Sequence, residues 1–176
     1  MDKNKVATIW FTGLSASGKT TLSKHLFNSL KKIGINNVVL LDGETVRVQL
    51  KNYKFDTGNR EQVGIHKAKI AIDLNKKGKI VIISGIAHKK KWRRDIRQMV
   101  QNYFEIFLDC DATVCAERDY KDQYKKAIAG SISDFIGVSE PYEVSEGFDL
   151  KIDTANNSKE VCSQEILKKV LLFLKR

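Results

Sequence analysis

Five short apolar runs alternate along the chain with longer amphipathic stretches. The apolar runs are rich in valine, isoleucine, leucine and phenylalanine, which is typical of buried β-strands. These runs occupy residues 6–11, 38–41, 80–84, 104–108 and 150–152. The stretches between them repeat their apolar positions at helical spacing. They lie at about residues 21–33, 59–77, 89–101, 111–118 and 158–174.

Regular alternation of strands and helices predicts an α/β fold. We expect a doubly wound, five-stranded parallel sheet with helices on both faces and its ligands at the carboxyl ends of the strands. The 176 residues contain no repeat, linker or low-complexity segment, so residues 1–176 are expected to form one domain. Gly34 and Gly78 fall where helices should end, and Ser158 where the last helix should begin.

Residues 119–148 interrupt this alternation. The segment is polar and contains the only proline, Pro141. An insert of this length in a compact domain is commonly a lid over a binding site. The alternative is a disordered loop. Tyr124, Phe135 and Tyr142 favour a segment that packs, at least when a ligand is bound.

A phosphate-binding motif follows the first apolar run. The sequence Gly13-Leu14-Ser15-Ala16-Ser17-Gly18-Lys19-Thr20 matches the loop GxxxxGK[ST] between a strand and a helix. In such loops, backbone N–H groups and the helix N-terminus surround the phosphates. Lys19 is expected to neutralise the β- and γ-phosphate oxygens and the Thr20 hydroxyl to bind Mg²⁺. The motif predicts the P-loop fold, with ATP and Mg²⁺ as cofactors. The expected cofactor-binding residues here are Gly13, Ser15, Ala16, Ser17, Gly18, Lys19, Thr20 and Thr21.

A second polar motif follows the next predicted strand. It reads Asp42-Gly43-Glu44-Thr45-Val46-Arg47. A phosphoryl acceptor hydroxyl needs a carboxylate that orients it or takes its proton, and an arginine fork suits a substrate phosphate. The alternative is a polar turn that caps a helix. On the first interpretation, Asp42, Glu44 and Lys19 belong to the catalytic set.

Taken together, these motifs resemble the adenylylsulfate kinases. Those P-loop enzymes move the γ-phosphate of ATP to the 3′-hydroxyl of adenosine 5′-phosphosulfate. The resemblance covers roughly residues 7–155. Its most diagnostic part is the lid, because phosphate loops alone occur in many functions. The lid residues that carry it are Arg118-Asp119-Tyr120-Lys121, Tyr124-Lys125-Lys126-Ala127, Ala129-Gly130, Phe135-Ile136-Gly137 and Pro141-Tyr142-Glu143.

The resemblance also implies roles for individual residues. Glu44 stands where the family has its catalytic acid, normally aspartate, and would contact Mg²⁺ and the attacking hydroxyl. Lys121 would approach the transferred phosphate from the lid. Arg47 and Arg60 would bind the phosphate end of the acceptor, and Phe55 and Phe135 would stack on its base. Arg118 and Thr154 would flank the adenine of ATP.

The chain departs from the family around the acceptor. After the third strand, Ala87 and His88 replace the serine and proline of a pair that the family usually shows, and Val63 replaces an asparagine. In the lid, Ile128 replaces an arginine and Asp122 a glycine. Several such changes together favour a different acceptor over a weakened original one. We expect Ile86, Ala87 and His88 to line its site.

A divergent member, cytidine diphosphoramidate kinase, fits this profile. The favoured acceptor is therefore cytidine diphosphoramidate, for capsule phosphoramidate biosynthesis, with adenosine 5′-phosphosulfate as the alternative. A nucleotide-dependent switch is the alternative from another class, but the guanine-reading Asn-Lys-x-Asp motif is absent from the sequence. A small-metabolite kinase is a further enzyme alternative, against which the proposed Phe55 and Phe135 sandwich argues.

The composition indicates which classes of molecule the protein binds. The net charge of +10 comes from scattered lysines, which favours solvated helix faces over a nucleic-acid site. The densest basic run, residues 88–94, has three possible interpretations. It could bind nucleic acid with Trp92 stacking on a base, it could be a solvated helix face, or it could form a wall of the acceptor site to which Arg93 and Arg97 contribute.

The sequence also suggests where the protein works. No apolar run approaches the roughly 18 residues of a membrane span, and no signal peptide is evident. The cysteines Cys110, Cys115 and Cys162 are odd in number and read as reduced thiols. We expect a cytoplasmic enzyme whose partner is a small nucleotide substrate, with no nucleic-acid or membrane partner, and the family resemblance suggests a homodimer.

Overall fold

A five-stranded parallel sheet forms the centre of the protein. The computed structural model describes residues 6–50, 56–144 and 146–175. The strands are β1 (Ala7–Gly13), β2 (Val38–Leu41), β3 (Ile80–Ser84), β4 (Tyr103–Asp109) and β5 (Leu150–Asp153). They lie in the order β2-β3-β1-β4-β5, and every pairing is parallel. The expected α/β sheet is confirmed, with β1 in the middle.

Helices connect the strands. They are α1 (Lys19–Lys32), α2 (Gly43–Gln49), α3 (Thr57–Lys76), α4 (Lys90–Met99), α5 (Ala112–Glu117), α6 (Gln123–Ile128) and α7 (Lys159–Lys175). Gly34 and Gly78 have positive φ values of 88° and 73° and follow the C-cap residues of α1 and α3, Ile33 and Lys77, as expected for glycines that end a helix. The Ser158 hydroxyl accepts a hydrogen bond from the Val161 backbone N–H at 3.3 Å, which caps α7.

Two hydrophobic layers enclose the sheet. On one face, side chains of β1, β3 and β4 pack against α1 and α7, with Ile9, Leu26 and Ile166 fully or nearly fully buried. On the other face, Trp10 and Ile83 pack against α3 and α4. A strand with both faces covered is buried at every position, and all seven residues of β1 are buried, Thr8 and Thr12 included. The core thus holds β1, and with it the start of the phosphate loop, rigidly in place.

The insert after α5 packs onto β4 and the phosphate loop. Tyr124, Phe135 and Ile136 are buried, and the Tyr124 and Phe135 rings meet edge to face at 4.8 Å. Tyr142 stacks on Phe107 of β4, with ring centroids 5.6 Å apart. These contacts exclude a disordered loop for the described part of residues 119–148. Of the helices in the described ranges, none is both long and apolar enough to cross a membrane.

Candidate active site

The phosphate loop joins β1 to α1 and depends on close backbone packing. Gly13 has φ 143°, and a Cβ there would lie 2.6 Å from the Leu108 carbonyl oxygen. Gly18 has φ 97° and Ala16 φ 58°, both in the left-handed region. A side chain at Gly13 would collide with β4, and one at Gly18 would be strained. The glycines of the motif are therefore required by the geometry of the loop.

Lys19 begins α1 inside this loop. Its ammonium donates a hydrogen bond to the Leu14 carbonyl, so the side chain folds back over the loop. Burial of the ammonium lowers the pKa of Lys19 to about 8. Thr20 follows and is exposed. The Ser17 hydroxyl is buried and has no hydrogen-bond partner within the described part of the chain. A cation and an unpaired hydroxyl next to free helix N–H groups suit a bound polyphosphate.

Three side chains hold the phosphate loop in place, two of them by direct hydrogen bonds and one through Thr154. The Thr154 hydroxyl lies 3.1 Å from the Ser17 carbonyl oxygen and 3.2 Å from that of Asp109. The Tyr124 hydroxyl donates to the Ser15 carbonyl at 3.1 Å. Arg118 donates to the Thr154 carbonyl at 2.8 Å. The end of β5 and the lid helix α6 are thereby tied to the loop.

A cavity of about 1010 Å³ opens over the carboxyl ends of β1, β2 and β3. The phosphate loop forms one side, α3 and α4 a second, and the lid a third. Most residues expected from the sequence line this cavity. They are Ser15, Ala16, Gly18, Lys19, Thr20, Thr21, Asp42, Arg47, Arg60, Ile86, Ala87, Arg118, Lys121 and Phe135.

Four of the expected residues lie outside the cavity lining. Gly13 and Ser17 form the turn beneath it, and Thr154 is 6 % exposed and supports the loop from behind. His88 is fully buried behind the wall. The side chains of two further expected residues are not described, so their positions relative to the cavity are not given. Phe55 falls outside the described residues, and of Glu44 only the backbone, in the first turn of α2, is described.

Two arginines contribute positive charge to the cavity in addition to its lysines and Arg118. Burial and the charge of Arg60 lower the pKa of the Arg47 guanidinium below its usual range. Burial also lowers the pKa of Arg60, although Asp134, Glu140 and Asp56 oppose this effect. Arg60 Nη1 is buried and finds no hydrogen-bond partner among the described residues. A buried, unsatisfied guanidinium nitrogen at a cavity wall is suited to an anionic ligand.

The expected role of His88 as an acceptor contact is not supported by its position. Its ring meets Trp92 edge to face at 4.8 Å, and neither ring nitrogen has a hydrogen-bond partner in the described chain. Burial, followed by the positive charges of Arg60 and Lys89, lowers the pKa of His88 to about 4. The ring is therefore neutral at pH 7 and supplies no charge to a substrate phosphate.

The basic run is divided between solvent and the interior: Lys90, Lys91 and Arg94 are exposed, as the solvated-face interpretation expects, whereas Trp92 and Arg93 are buried. Arg93 is 1 % exposed, and its Nε lies 3.3 Å from Oε1 of the equally buried Glu105. Arg97 pairs with Asp149 at 2.7 Å. The acceptor-wall interpretation of Arg93 and Arg97 is therefore wrong, because neither side chain lines the cavity and each pairs with a carboxylate of the fold, Arg93 with buried Glu105 and Arg97 with half-buried Asp149. Trp92 is 9 % exposed and lines the cavity, so it is not available as an open stacking platform.

Sequence reasoning did not single out several residues of the cavity wall, of which Lys67 and Trp10 are the most buried polar and aromatic examples. Lys67 of α3 is 4 % exposed, and its ammonium donates to the Ser84 carbonyl at 3.0 Å. Burial and the charges of Arg47 and Lys19 lower its pKa to about 8. Trp10, whose indole N–H donates to the Gly85 carbonyl at 3.3 Å, forms the floor. A lysine in an amphipathic helix normally predicts solvent exposure, so no local signal marked Lys67.

Comparison with known proteins supports the assignment from the motifs. The adenylylsulphate kinase family model matches residues 5–153. An adenylyl-sulfate kinase of Synechococcus sp. (strain JA-3-3Ab) is 38 % identical over 156 residues, which cover 88 % of each chain. A cytidine diphosphoramidate kinase of Campylobacter jejuni is 35 % identical over 174 residues, which cover 99 % of this chain and 98 % of its relative.

A solved structure agrees with these relatives. The Mycobacterium tuberculosis APS kinase CysC, in complex with AMPPNP and APS, matches with a TM-score of 0.88 and 29 % identity over 95 % of this chain and 98 % of that one. These similarities show that the chain has the P-loop kinase fold and is an ATP-dependent phosphotransferase that acts on a nucleotide. They give no support to the alternative of a nucleotide-dependent switch. The chain belongs to the adenylylsulphate kinase family.

Proposed function

We propose that the protein transfers the γ-phosphate of Mg·ATP to the 3′-hydroxyl of a nucleotide that carries a 5′ mixed anhydride. The observation that carries the proposal is the joint cavity, in which the phosphate loop, Asp42, two arginines and the lid residue Lys121 face one space. Donor loop, acid, substrate arginines and a basic lid are the parts that in-line phosphoryl transfer requires.

The donor half fits a nucleoside triphosphate. The left-handed turns at Ala16 and Gly18 and the unpaired hydroxyl of Ser17 support a loop that binds phosphate oxygens. Lys19 would neutralise the β- and γ-phosphates, and Arg118 would flank the adenine. Thr20 and Glu44 would hold Mg²⁺, which shields the charge of the transferred group. Thr154 would act indirectly, by supporting the loop through the Ser17 carbonyl.

The acceptor half would occupy the opposite wall. Arg47 and Arg60 would bind its phosphate end, and Phe55 and Phe135 its base. Glu44, with Asp42 beside it, would orient the attacking hydroxyl or accept its proton. Lys121 would meet the transferred phosphate from the lid, whose closure excludes water. Of the residues between β3 and α4, Ile86 and Ala87 line this part of the cavity, and His88 packs behind them.

We favour cytidine diphosphoramidate as the acceptor, in capsule polysaccharide biosynthesis. Val63 is 4 % exposed and lines the cavity, so an apolar side chain faces the acceptor where the family resemblance puts an asparagine. An acceptor that hydrogen-bonds to an amide would lose about 1–3 kcal/mol there. The Campylobacter jejuni cytidine diphosphoramidate kinase also aligns with this chain over almost its whole length.

Adenosine 5′-phosphosulfate is the second candidate acceptor. Its support is the 38 % identity to an adenylyl-sulfate kinase and the likeness to an APS kinase structure that contains APS. With this acceptor the product would be 3′-phosphoadenylyl sulfate. We further propose that residues 1–176 act as a single kinase domain, as a homodimer in the cytoplasm, which light scattering and cell fractionation would test.

A coupled ADP-release assay with both acceptors tests the function. We expect faster turnover of cytidine diphosphoramidate than of adenosine 5′-phosphosulfate, and product analysis should find the new phosphate on the 3′-hydroxyl. The Glu44→Gln variant should lose kcat by about 100-fold or more and keep its affinity for ATP. The exposed Glu117→Gln change is the matched control. ATP hydrolysis without transfer to either nucleotide would refute the proposal.

A further inference from the structure

Lys67 places a buried ammonium at the carboxyl ends of β2 and β3. Its side chain crosses from α3 to the last residue of β3, where Nζ donates to the Ser84 carbonyl. A Cβ on Gly85 would lie 2.9 Å from this nitrogen, and one on Gly43 would lie 3.1 Å from it. The ammonium therefore occupies space that larger residues at these two positions would fill. All four residues line the cavity.

The surroundings of Lys67 are unusual for a buried cation. Within the described residues, no carboxylate forms a salt bridge with its ammonium, and the Ser84 carbonyl is its hydrogen-bond acceptor. Arg47 and Lys19 repel its charge, and Asp42 attracts it. An ammonium has three donors, so this arrangement leaves donor capacity toward the cavity. A buried charge is costly unless an anion compensates it, and an anionic ligand in the cavity would do so.

The fold separates this cation from the ATP donor. Apart from Glu44, which follows β2 and would contact Mg²⁺ and the attacking hydroxyl, the residues proposed for the donor lie at the ends of β1, β4 and β5, where the phosphate loop, Arg118 and the turn after Asp153 meet. Lys67 lies on the other side of β1, over β2 and β3, next to Ile86 and Ala87. An anion that reaches Lys67 would therefore belong to the acceptor.

We infer that Lys67 is a substrate-binding residue whose ammonium binds an anionic oxygen of the acceptor's 5′ anhydride group. The inference rests on the proposed function and extends it, because it assigns a third cation, beside Arg47 and Arg60, to the acceptor. It also accounts for the two glycines, since Gly43 and Gly85 leave the ammonium room at the ends of both strands.

Steady-state kinetics of the full chain with the Lys67→Met variant tests this inference. Methionine keeps most of the apolar stem and removes the charge. We expect the KM for the acceptor that the wild type uses to rise at least tenfold, whereas the KM for ATP changes less than twofold. The melting temperature of the ligand-free variant should be equal to or above that of the wild type, because an uncompensated buried charge is removed. Lys69→Met, at an exposed position of the same helix, is the matched control.

The outcomes separate this inference from the proposed function. A wild-type protein that phosphorylates neither nucleotide refutes the function. An active wild type whose Lys67→Met variant keeps its acceptor KM, or loses ATP and acceptor affinity equally, refutes only the role of Lys67. The Lys67→Gln variant, which keeps a polar donor, is measured in parallel. If neither variant folds, the ammonium is a structural anchor of β3 and the inference is rejected.

Discussion

The Tyr142 hydroxyl lies 2.7 Å from the Thr12 hydroxyl, which joins the end of the lid to the strand that enters the phosphate loop. Thr12 also donates a hydrogen bond to the Ile86 carbonyl in the loop after β3. The Arg93 guanidinium lies 5.0 Å from the centre of the Tyr142 ring. The base of the lid is thus fixed to the two segments that would bind donor and acceptor, so the proposed lid closure would involve only its outer part.

Removing the Tyr142 hydroxyl should weaken this junction. We expect Tyr142→Phe to lower the free energy of unfolding by about 1 kcal/mol, because a largely buried hydrogen bond is lost while the ring stacking remains. Urea denaturation measures the change. Tyr120→Phe, at a position that is 87 % exposed, should have no measurable effect. Equal stability of the two variants would show that the hydroxyl pair does not hold the lid.

The buried ion pair between Arg93 and Glu105 should contribute more to the free energy of unfolding than the hydrogen bond between Tyr142 and Thr12 does. Arg93 also donates to the carbonyls of Ala87 and Glu143, so it connects α4, the loop after β3 and the lid. We expect Arg93→Met to cost about 3–5 kcal/mol, because it leaves the Glu105 carboxylate buried without its closest cation. The measurement is urea unfolding, with Arg94→Met at an exposed position as control.

The double variant Arg93→Met/Glu105→Gln distinguishes charge from packing. Its stability should recover part of the loss, because the buried carboxylate is gone. A double variant that is no more stable than Arg93→Met would show that the carbonyl hydrogen bonds of Arg93, and not the ion pair, carry the effect.

Stability should fall at mildly acidic pH because of His88. Its pKa is about 4 in the folded protein, whereas an unfolded histidine titrates near 6.5. Between these values the unfolded chain binds more protons, so the folded state loses stability as the pH decreases, by about 2 kcal/mol from pH 7 to pH 5. Urea unfolding at both pH values should show a smaller loss for His88→Phe than for the wild type. Equal losses would mean that His88 is protonated in the fold; His25→Phe, at an exposed site, is the control.

The sheet and the phosphate loop could be predicted because their signals are local. β2 and β3 have the bounds that the apolar runs indicated, and the motif from Gly13 to Thr20 fixes its own conformation. α2 was missed as a helix because its seven residues include Gly43 and β-branched positions, which lower helix propensity. Its place at the end of β2, and not its propensity, determines its structure.

The roles of charged side chains could not be predicted in the same way. A lysine, an arginine and a histidine in amphipathic stretches look alike whether they face solvent or the interior. Arg93 is buried because Glu105 of β4 faces the same space, and Lys67 because Gly43 and Gly85 leave room for it. These partners are distant in sequence, so the pairing appears only once the sheet and the helices are assembled.

Lys19 should be indispensable for transfer but not for folding. Its charge would stabilise the β- and γ-phosphate oxygens as the bond to the γ-phosphate breaks, so we expect Lys19→Ala to lower kcat by about 100-fold or more. Because burial already lowers the pKa of Lys19, the ligand-free variant should melt no lower than the wild type. Coupled ADP release and thermal unfolding measure the two effects, with the exposed Lys32→Ala as control. A folded Lys19→Ala variant with wild-type turnover would contradict the assignment of the loop as the donor site.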